Sequence, residues 1–257
     1  MIIEVSDPAD GRLTDFVALR DAQLRRSEDR FIAEGLKIIE RAFTSGARPR
    51  ALLLQPRWLE QLAPLLAAHP DVPVYLGTEK MIEEVSGFHV HRGALGSFDR
   101  LPEAPWDALL AGRRLILCEE IVDHANLGVI MRLAAGLGWD GVVVSERSAD
   151  PLYRRAIKGS MGASLVVPWR RMGGDADLER IRAAGFTVVA SSIAPGAVEL
   201  DAFEAPDKVA LMLGTEGQGL SRGWLAAAEH HVRIPMTDRV DSLNVATAAA
   251  ILAYQLR

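Results

Sequence analysis

From Arg113 onward the chain repeats one device, a short and nearly continuous apolar run followed by a stretch with helical spacing. The runs are "RLILCEEI", "GVVVSE", "SLVVPW", "FTVVASSI", "KVALMLG" and "HVRIPM". A strand apolar at successive positions is buried on both faces. Such strands alternating with helices predict a parallel sheet covered by helices on either side. The predicted helices are "NLGVIMRLAAGLG", "DPLYRRAIKGSMG", "DADLERIRAAG", "SRGWLAAAEH" and the closing stretch from Val240 to Arg257.

The first hundred residues alternate less regularly. "RFIAEG", "RALLLQ", "VPVYLGT" and "GALGSF" read as strands. "LTDFVALRDAQLRR", "LKIIERAFTSG", "PRWLEQLAPLLAAH" and "EKMIEEVSG" read as helices, two of them stopped by glycine. This predicts a small α/β/α domain over residues 1–100. "DRLPEAPWDALLAGRR" carries two prolines and no strand, so a linker is expected at 101–112 and the second domain at 113–257.

Composition narrows the function classes. Hydrophobic residues are 49% and charged residues 25% of the 257, the profile of a globular protein. The start, "MIIEVSDPADGRL", is acidic and lacks the basic and apolar regions of a signal peptide. The longest apolar stretch, about 14 residues from Leu243, is shorter than the roughly 20 needed to span a bilayer. A cytoplasmic protein without a membrane partner is expected. One cysteine, Cys118, excludes an intrachain disulfide, and six histidines without Cys or His partners at ligand spacing predict no metal site. The net charge of -5 argues against an indiscriminate nucleic-acid binder. Two segments nevertheless lean basic. Arg12–Arg57 holds ten Lys/Arg against six Asp/Glu, and Arg147–Arg171 six against one. They read equally well as one basic face or as solvated helix faces.

Ligands of parallel sheets bind beyond the carboxyl ends of the strands, so the residues just after each strand are where chemistry is sought. "VDHANLGVIMR" comes after the first, with Asn126, Gly128 and Arg132. "GTEGQGLSRG" comes after "KVALML", with Gly214, Glu216, Gly217 and Gly219. "MTDRVDSLN" comes after "HVRIP". Each alone is weak: the glycine loop lacks the endings of a P-loop and of a dinucleotide fingerprint. Alone it reads as a turn, Arg132 as a solvated residue, and Ser242 as a helix N-cap.

Together, in this order, "NLGVIMR", "GTEGQGL", "IPM" and "SLNV" resemble the motifs of the SpoU (TrmH-like) branch of the SPOUT methyltransferases, over Arg113 to Arg257. "SADPLYRRAIKGSMGA" resembles the segment that connects them in that family. "RFIAEGLKIIERAF" is similar to the start of the L30e-like RNA-binding domain often joined to this catalytic domain. The resemblance implies an α/β fold whose C-terminal segment forms a trefoil knot, a homodimer, and S-adenosylmethionine bound at the knot. It implies methylation of ribose 2'-hydroxyls in tRNA or rRNA.

Carried onto these residues, the cofactor pocket would comprise Leu213, Gly214, Gly219, Ile234, Met236 and Leu243, with Ser191 contributing. Arg132, Asn126, Glu216, Ser242 and Asn244 would form the catalytic centre. An N-cap suffices as the alternative for Ser242 but does not explain Asn244. Arg132 is the family's activating residue, yet a free guanidinium, with a pKa above about 12, is a poor base. Either a cationic pocket depresses that value, or Arg132 stays charged, grips a phosphate and stabilises the developing alkoxide. The second reading is preferred. RNA contacts are expected at Arg25, Arg26, Arg30, Lys37, Arg154, Arg155 and Lys158. One departure stands out: the family's Asp-Pro before the asparagine is Asp123-His124 here, which puts the turn into the helix in question. The opposing reading is a non-catalytic RNA-binding protein on the same fold, and a third is a Rossmann-like nucleotide enzyme.

Overall fold

The computed structural model describes residues 1–17, 19, 29–90, 93–194, 196–215, 217–237 and 239–257. They form two compact units. One comprises Met1–Pro102 with Leu152–Leu165, the other Glu103–Pro151 with Val166–Arg257.

In the first unit the chain runs β1 (Ile2–Glu4), a 3₁₀ turn (Gly11–Phe16), β2 (Arg30–Glu34), α1 (Leu36–Thr44), β3 (Pro49–Leu54), α2 (Leu59–Ala67), β4 (Val74–Leu76), α3 (Glu79–Ser86) and β5 (Ala94–Asp99). The sheet order is β1-β4-β3-β5-β2. β5 lies antiparallel to both β2 and β3, whereas β3, β4 and β1 run parallel. Leu13, Phe16, Ile32, Leu53, Ile82 and Leu95 meet in its core. The helix expected from Leu13 is a 3₁₀ turn where it is described, and most of its remainder lies outside the described residues.

The second unit adds α4 (Trp106–Leu110), β6 (Arg114–Cys118), α5 (His124–Leu137) and β7 (Gly141–Val144). The short helix α6 (Arg154–Gly159) comes next in the chain and belongs to the first unit. The second unit resumes with β8 (Trp169–Arg171), α7 (Asp175–Ala183), β9 (Thr187–Ser191), β10 (Val198–Glu199), β11 (Val209–Leu213), α8 (Arg222–Ala227), β12 (His230–Arg233) and α9 (Val245–Gln255). The order is β10-β12-β9-β11-β6-β7-β8, every pair parallel. Leu115, Leu117, Val188, Ala190, Ala210 and Met212 point into one core layer. The alternating residues Ile116, Val189 and Leu211 are equally buried. Both faces are therefore covered, as the continuous apolar runs require.

Three expectations change. The expected linker contains α4, whose Trp106 and Leu109 are buried in the second unit's core. Those two side chains lie three apart and share a helix face; a five-residue helix after two prolines gives too few positions to show that period. The strand expected at "SLVVPW" instead starts at Trp169, after a 3₁₀ turn at Ala163–Leu165. Val166 is exposed, and Pro168 has no N–H to donate to a ladder. The expected catalytic stretch 113–257 is not one unit, because 152–165 packs with the N-terminal sheet.

Glu34 explains that packing. Its side chain is 1% exposed and meets Arg154 Nη1 and Lys158 Nζ of α6, each at 2.6 Å. The Arg154 guanidinium also lies 3.9 Å from the Phe88 ring centre. A buried carboxylate is tolerated only when paired, so α6 completes the end of β2.

A second ionic cluster ties the 3₁₀ turn to the sheet. Asp15 accepts from Arg50 Nε at 2.9 Å and from Ser97 Oγ at 2.7 Å, and Arg30 Nε is 3.6 Å away. Burial pushes the Asp15 carboxyl up, but the bonds from Arg50 and Ser97 and the charges of Arg50 and Arg30 outweigh it, leaving a net value below the usual 3.8. A depressed folded-state value means stabilisation present above the unfolded value and lost as pH falls through the folded one. Asp15→Asn should therefore lower the urea midpoint at neutral pH. The gap to the parent should close as pH falls below 3.8; a gap independent of pH would remove Asp15 from the stability account.

Candidate active site

β12, β9 and β11 are neighbours in the sheet and run parallel, so their carboxyl ends, Arg233, Ser191 and Leu213, open on one edge. A cavity of about 500 Å³ lies there. Its walls come from five segments: 191–194, Leu213 with the turn that follows it, Leu225 of α8, Arg233 with Ile234 and Met236, and Ser242–Val245 with Ala248. Ser191, Leu213, Gly214, Gly219, Ile234, Met236, Ser242, Leu243 and Asn244 all line it.

The glycine turn has a mechanical explanation. Thr215 N donates to Gly219 O and Gly219 N to Thr215 O, both at 3.0 Å, closing the turn on itself. Gly219 has φ +67° and Gly217 φ +92°, backbone states that favour glycine. A Cβ on Gly214 would sit 2.2 Å from the Gly219 carbonyl carbon and the Leu220 nitrogen. Backbone passes where a side chain would stand.

Two helix N-termini meet beside the cavity. α9 begins at Val245, later than expected, with residues 240–243 outside it. Its N-cap is Asn244, whose Oδ1 accepts from Ala246 N at 3.0 Å and Thr247 N at 3.2 Å. The capping role weighed for Ser242 thus belongs to Asn244, because the first helical residue lies one position after it. Ser242 is exposed at the cavity wall. The Asn244 amide nitrogen donates to Asn126 Oδ1 at 3.1 Å, joining two residues 118 positions apart. Asn126 sits in the first turn of α5, where Asp123 caps its backbone N–H at 2.8 Å. His124 is the first residue of α5. Proline is favoured there because that N–H has no helical partner and φ is helical; histidine meets the same geometry, so the turn forms without proline.

The remaining expected residues lie outside the cavity wall or outside the described residues. Arg132 lies on α5, exposed, outside the cavity wall and without an ion pair among the described residues. Glu216, Arg25 and Arg26 lie outside the described residues. In the first unit Lys37 and Arg155 are exposed. Arg30 is half-buried among Asp15 and Asp29. Arg154, expected on an open surface, is instead 10% exposed and committed to Glu34, which also holds Lys158. Cys118 is buried, its thiol pushed up to about 12 by burial, which keeps it unreactive.

Gln218 and Arg233 of the wall fall within "MLGTEGQGL" and "RIPM", the stretches expected to build the pocket, although neither is singled out there; Leu225 of α8 was missed. Arg233 was within reach, since it ends a strand. Sequence reasoning also missed Glu119, a buried carboxylate at the end of β6 that accepts from Ser221 N at 2.7 Å, where α8 starts. In the first unit the ligand-capable atoms of Glu79, Glu83 and His89 lie within 4.8 Å of one another, a convergence that Cys/His spacing does not reveal. No helix among the described residues is long and apolar enough to cross a membrane.

Comparison with known proteins adds a family. Residues 113–254 match the SpoU rRNA Methylase family, and residues 12–94 match an MRM3-like substrate binding domain. The chain is 39% identical to an uncharacterised tRNA/rRNA methyltransferase of Mycobacterium tuberculosis, over 98% of this chain and 90% of that one. It is 24% identical to the 23S rRNA (guanosine(2553)-2'-O)-methyltransferase of Bacillus subtilis, over 99% of both. The AdoMet-bound rRNA methyltransferase of Sinorhizobium meliloti superposes with a TM-score of 0.84 at 28% identity, covering 100% of this chain and 97% of that one.

Gly214→Ala should force the turn apart. Urea denaturation should show a loss of about 1–3 kcal/mol, with faster amide exchange at Thr215 and Gly219. Unchanged exchange would mean the turn does not depend on this close approach.

Proposed function

The chain belongs to the SpoU rRNA methylase family, and from that premise we propose that it transfers a methyl group from S-adenosylmethionine to a ribose 2'-hydroxyl of rRNA or tRNA. The observation that carries this reading is the cavity at the ends of β9, β11 and β12, with Asn244 at its wall bonded to Asn126.

The residues fit the cofactor. The volume falls within the roughly 300–1,000 Å³ of small-molecule sites. Leu213, Ile234, Met236 and Leu243 offer apolar walls for the adenosyl group and the methylene chain of the methionine end, and the turn at Gly214–Gly219 offers backbone polar groups. The cofactor, when bound, supplies a methyl already activated by its sulfonium. What remains for the chain is to position the hydroxyl and to stabilise its oxygen while the proton passes to water and the sulfur leaves as the neutral thioether.

Asn126 and Asn244 would orient the ribose. The N-termini of α5 and α9 converge beside them, and their partial positive charge favours an oxygen becoming anionic. Arg132, exposed and without an ion pair among the described residues, is free to grip the neighbouring phosphate. Ser242 and Glu216 complete the proposed centre. Residues 1–100 would bind the substrate, with Lys37 and Arg155 as exposed cations of the first unit.

A homodimer is part of the proposal. α5 and α9 pack on each other, yet Val129 is 41%, Ile251 41% and Tyr254 57% exposed. A second copy would cover this apolar stripe. The trefoil knot is supported by the placement of β12, which enters between β9 and β10, two strands already laid in sequence. We also propose a cytoplasmic location, where RNA and cofactor meet.

The test is methyl transfer from labelled S-adenosylmethionine to bulk unmodified RNA, with nucleoside separation afterwards. Label is expected in a 2'-O-methylnucleoside. Arg132→Ala should lower the rate by about 10²–10³-fold. Arg132→Lys should retain part of the rate with no new alkaline optimum, because both side chains stay cationic. Label in a base would overturn the chemistry. RNA binding without label would favour a non-catalytic RNA-binding protein.

A further inference from the structure

Arg233 is the only ionisable side chain lining the cavity among the described residues. It is the last residue of β12, and its Nη2 meets Glu199 Oε1 at 2.5 Å. The two residues are register partners in the parallel pair β10–β12. Both side chains remain nearly half exposed, Arg233 at 45% and Glu199 at 42%. The β10–β12 ladder has two register pairs, and the ion pair is the one at its carboxyl end. It stands where the strand ends open into the cavity, with its cation in the wall.

The inference rests on the cofactor reading. S-Adenosylmethionine has one anionic group, the α-carboxylate, and it shares a carbon with an ammonium. A wall whose only charged side chain among the described residues is a guanidinium offers that carboxylate one complement, and Glu199, which is not part of the wall, holds the guanidinium through an ion pair. A planar guanidinium can give two parallel bonds to a carboxylate and still keep donors for a second one. We propose that Arg233 holds the α-carboxylate of the cofactor's amino-acid end, while its ion pair with Glu199 keeps the guanidinium in place. Arg233 is then a positioning residue. It fixes one end of the cofactor, while the apolar walls and the glycine turn fix the other. The pair also discriminates, because a related adenosyl compound without the amino-acid head leaves Arg233 unrewarded.

The test is binding, read by calorimetry on the full chain, with S-adenosylhomocysteine and with its analogue lacking only the α-carboxylate. The unaltered chain should prefer S-adenosylhomocysteine by about tenfold or more. Arg233→Ala should weaken that ligand alone and abolish the preference, and Arg233→Lys should restore part of it. Glu199→Gln should keep the carboxylate preference, since Arg233 remains. An equal loss for both ligands in Arg233→Ala and in Glu199→Gln would mean that the pair only braces β10 against β12, and would overturn the assignment. An unchanged preference in Arg233→Ala, with weakened RNA binding, would assign the guanidinium to phosphate instead and overturn it too. If the unaltered chain fails to bind S-adenosylhomocysteine, the cofactor reading falls and takes this inference with it. An unchanged preference in Arg233→Ala with tight S-adenosylhomocysteine binding sinks the inference alone.

Discussion

Every strand of the second unit runs the same way, and the site depends on that constraint. In a parallel sheet all carboxyl ends lie on one edge, so each loop that leaves a strand starts there. The chain lays β6, β7 and β8 in one direction and then returns to build β9, β11 and β12 on the other side of β6. Three stretches far apart in sequence, after Ser191, Leu213 and Arg233, thereby become neighbours around one cavity. Antiparallel pairing of any of the three would send its loop to the opposite edge.

Two polar devices finish what the sheet begins. The turn from Gly214 to Gly219 closes on itself, and at Gly214 it leaves no room for a side chain against the backbone of Gly219 and Leu220. Asn244 accepts two backbone N–H bonds at the start of α9 and donates its amide to Asn126 at the start of α5. One side chain thus sets where the last helix begins and links it to α5. Below, Trp139 Nε1 donates to Ala253 O at 3.0 Å and fixes the far end of α9. The helix is held at both ends, so its mouth keeps a defined position at the cavity.

The strand–helix alternation was legible because it is local. Leu115 and Leu117 face one layer, Ile116 and Cys118 the other, and an apolar run reports both. The motif residues at strand ends were legible for the same reason. Strand order was not, since the same alternation fits several orders. The pairing of Asn244 with Asn126 depends on that order and could not be read from either residue. The role of α6 was hidden in another way. Arg154 and Lys158 look like surface cations until Glu34, 120 and 124 positions away, is seen to hold them. Charge counts along a chain cannot distinguish a cation facing solvent from one closing a buried carboxylate. α4 was too short to show a period, and Pro168 lay inside an apolar run whose strand starts only after it.

Whether the cavity at the ends of β9, β11 and β12 receives the cofactor is tested most directly by hydrogen–deuterium exchange of the full chain, with and without S-adenosylhomocysteine. Exchange should slow at residues 191–194, 217–220, 233–236 and 242–248, and only there. Protection that spares these segments and falls instead around Glu120, Arg147 and Gly173, where a smaller cavity of about 260 Å³ lies, would contradict that placement of the cofactor.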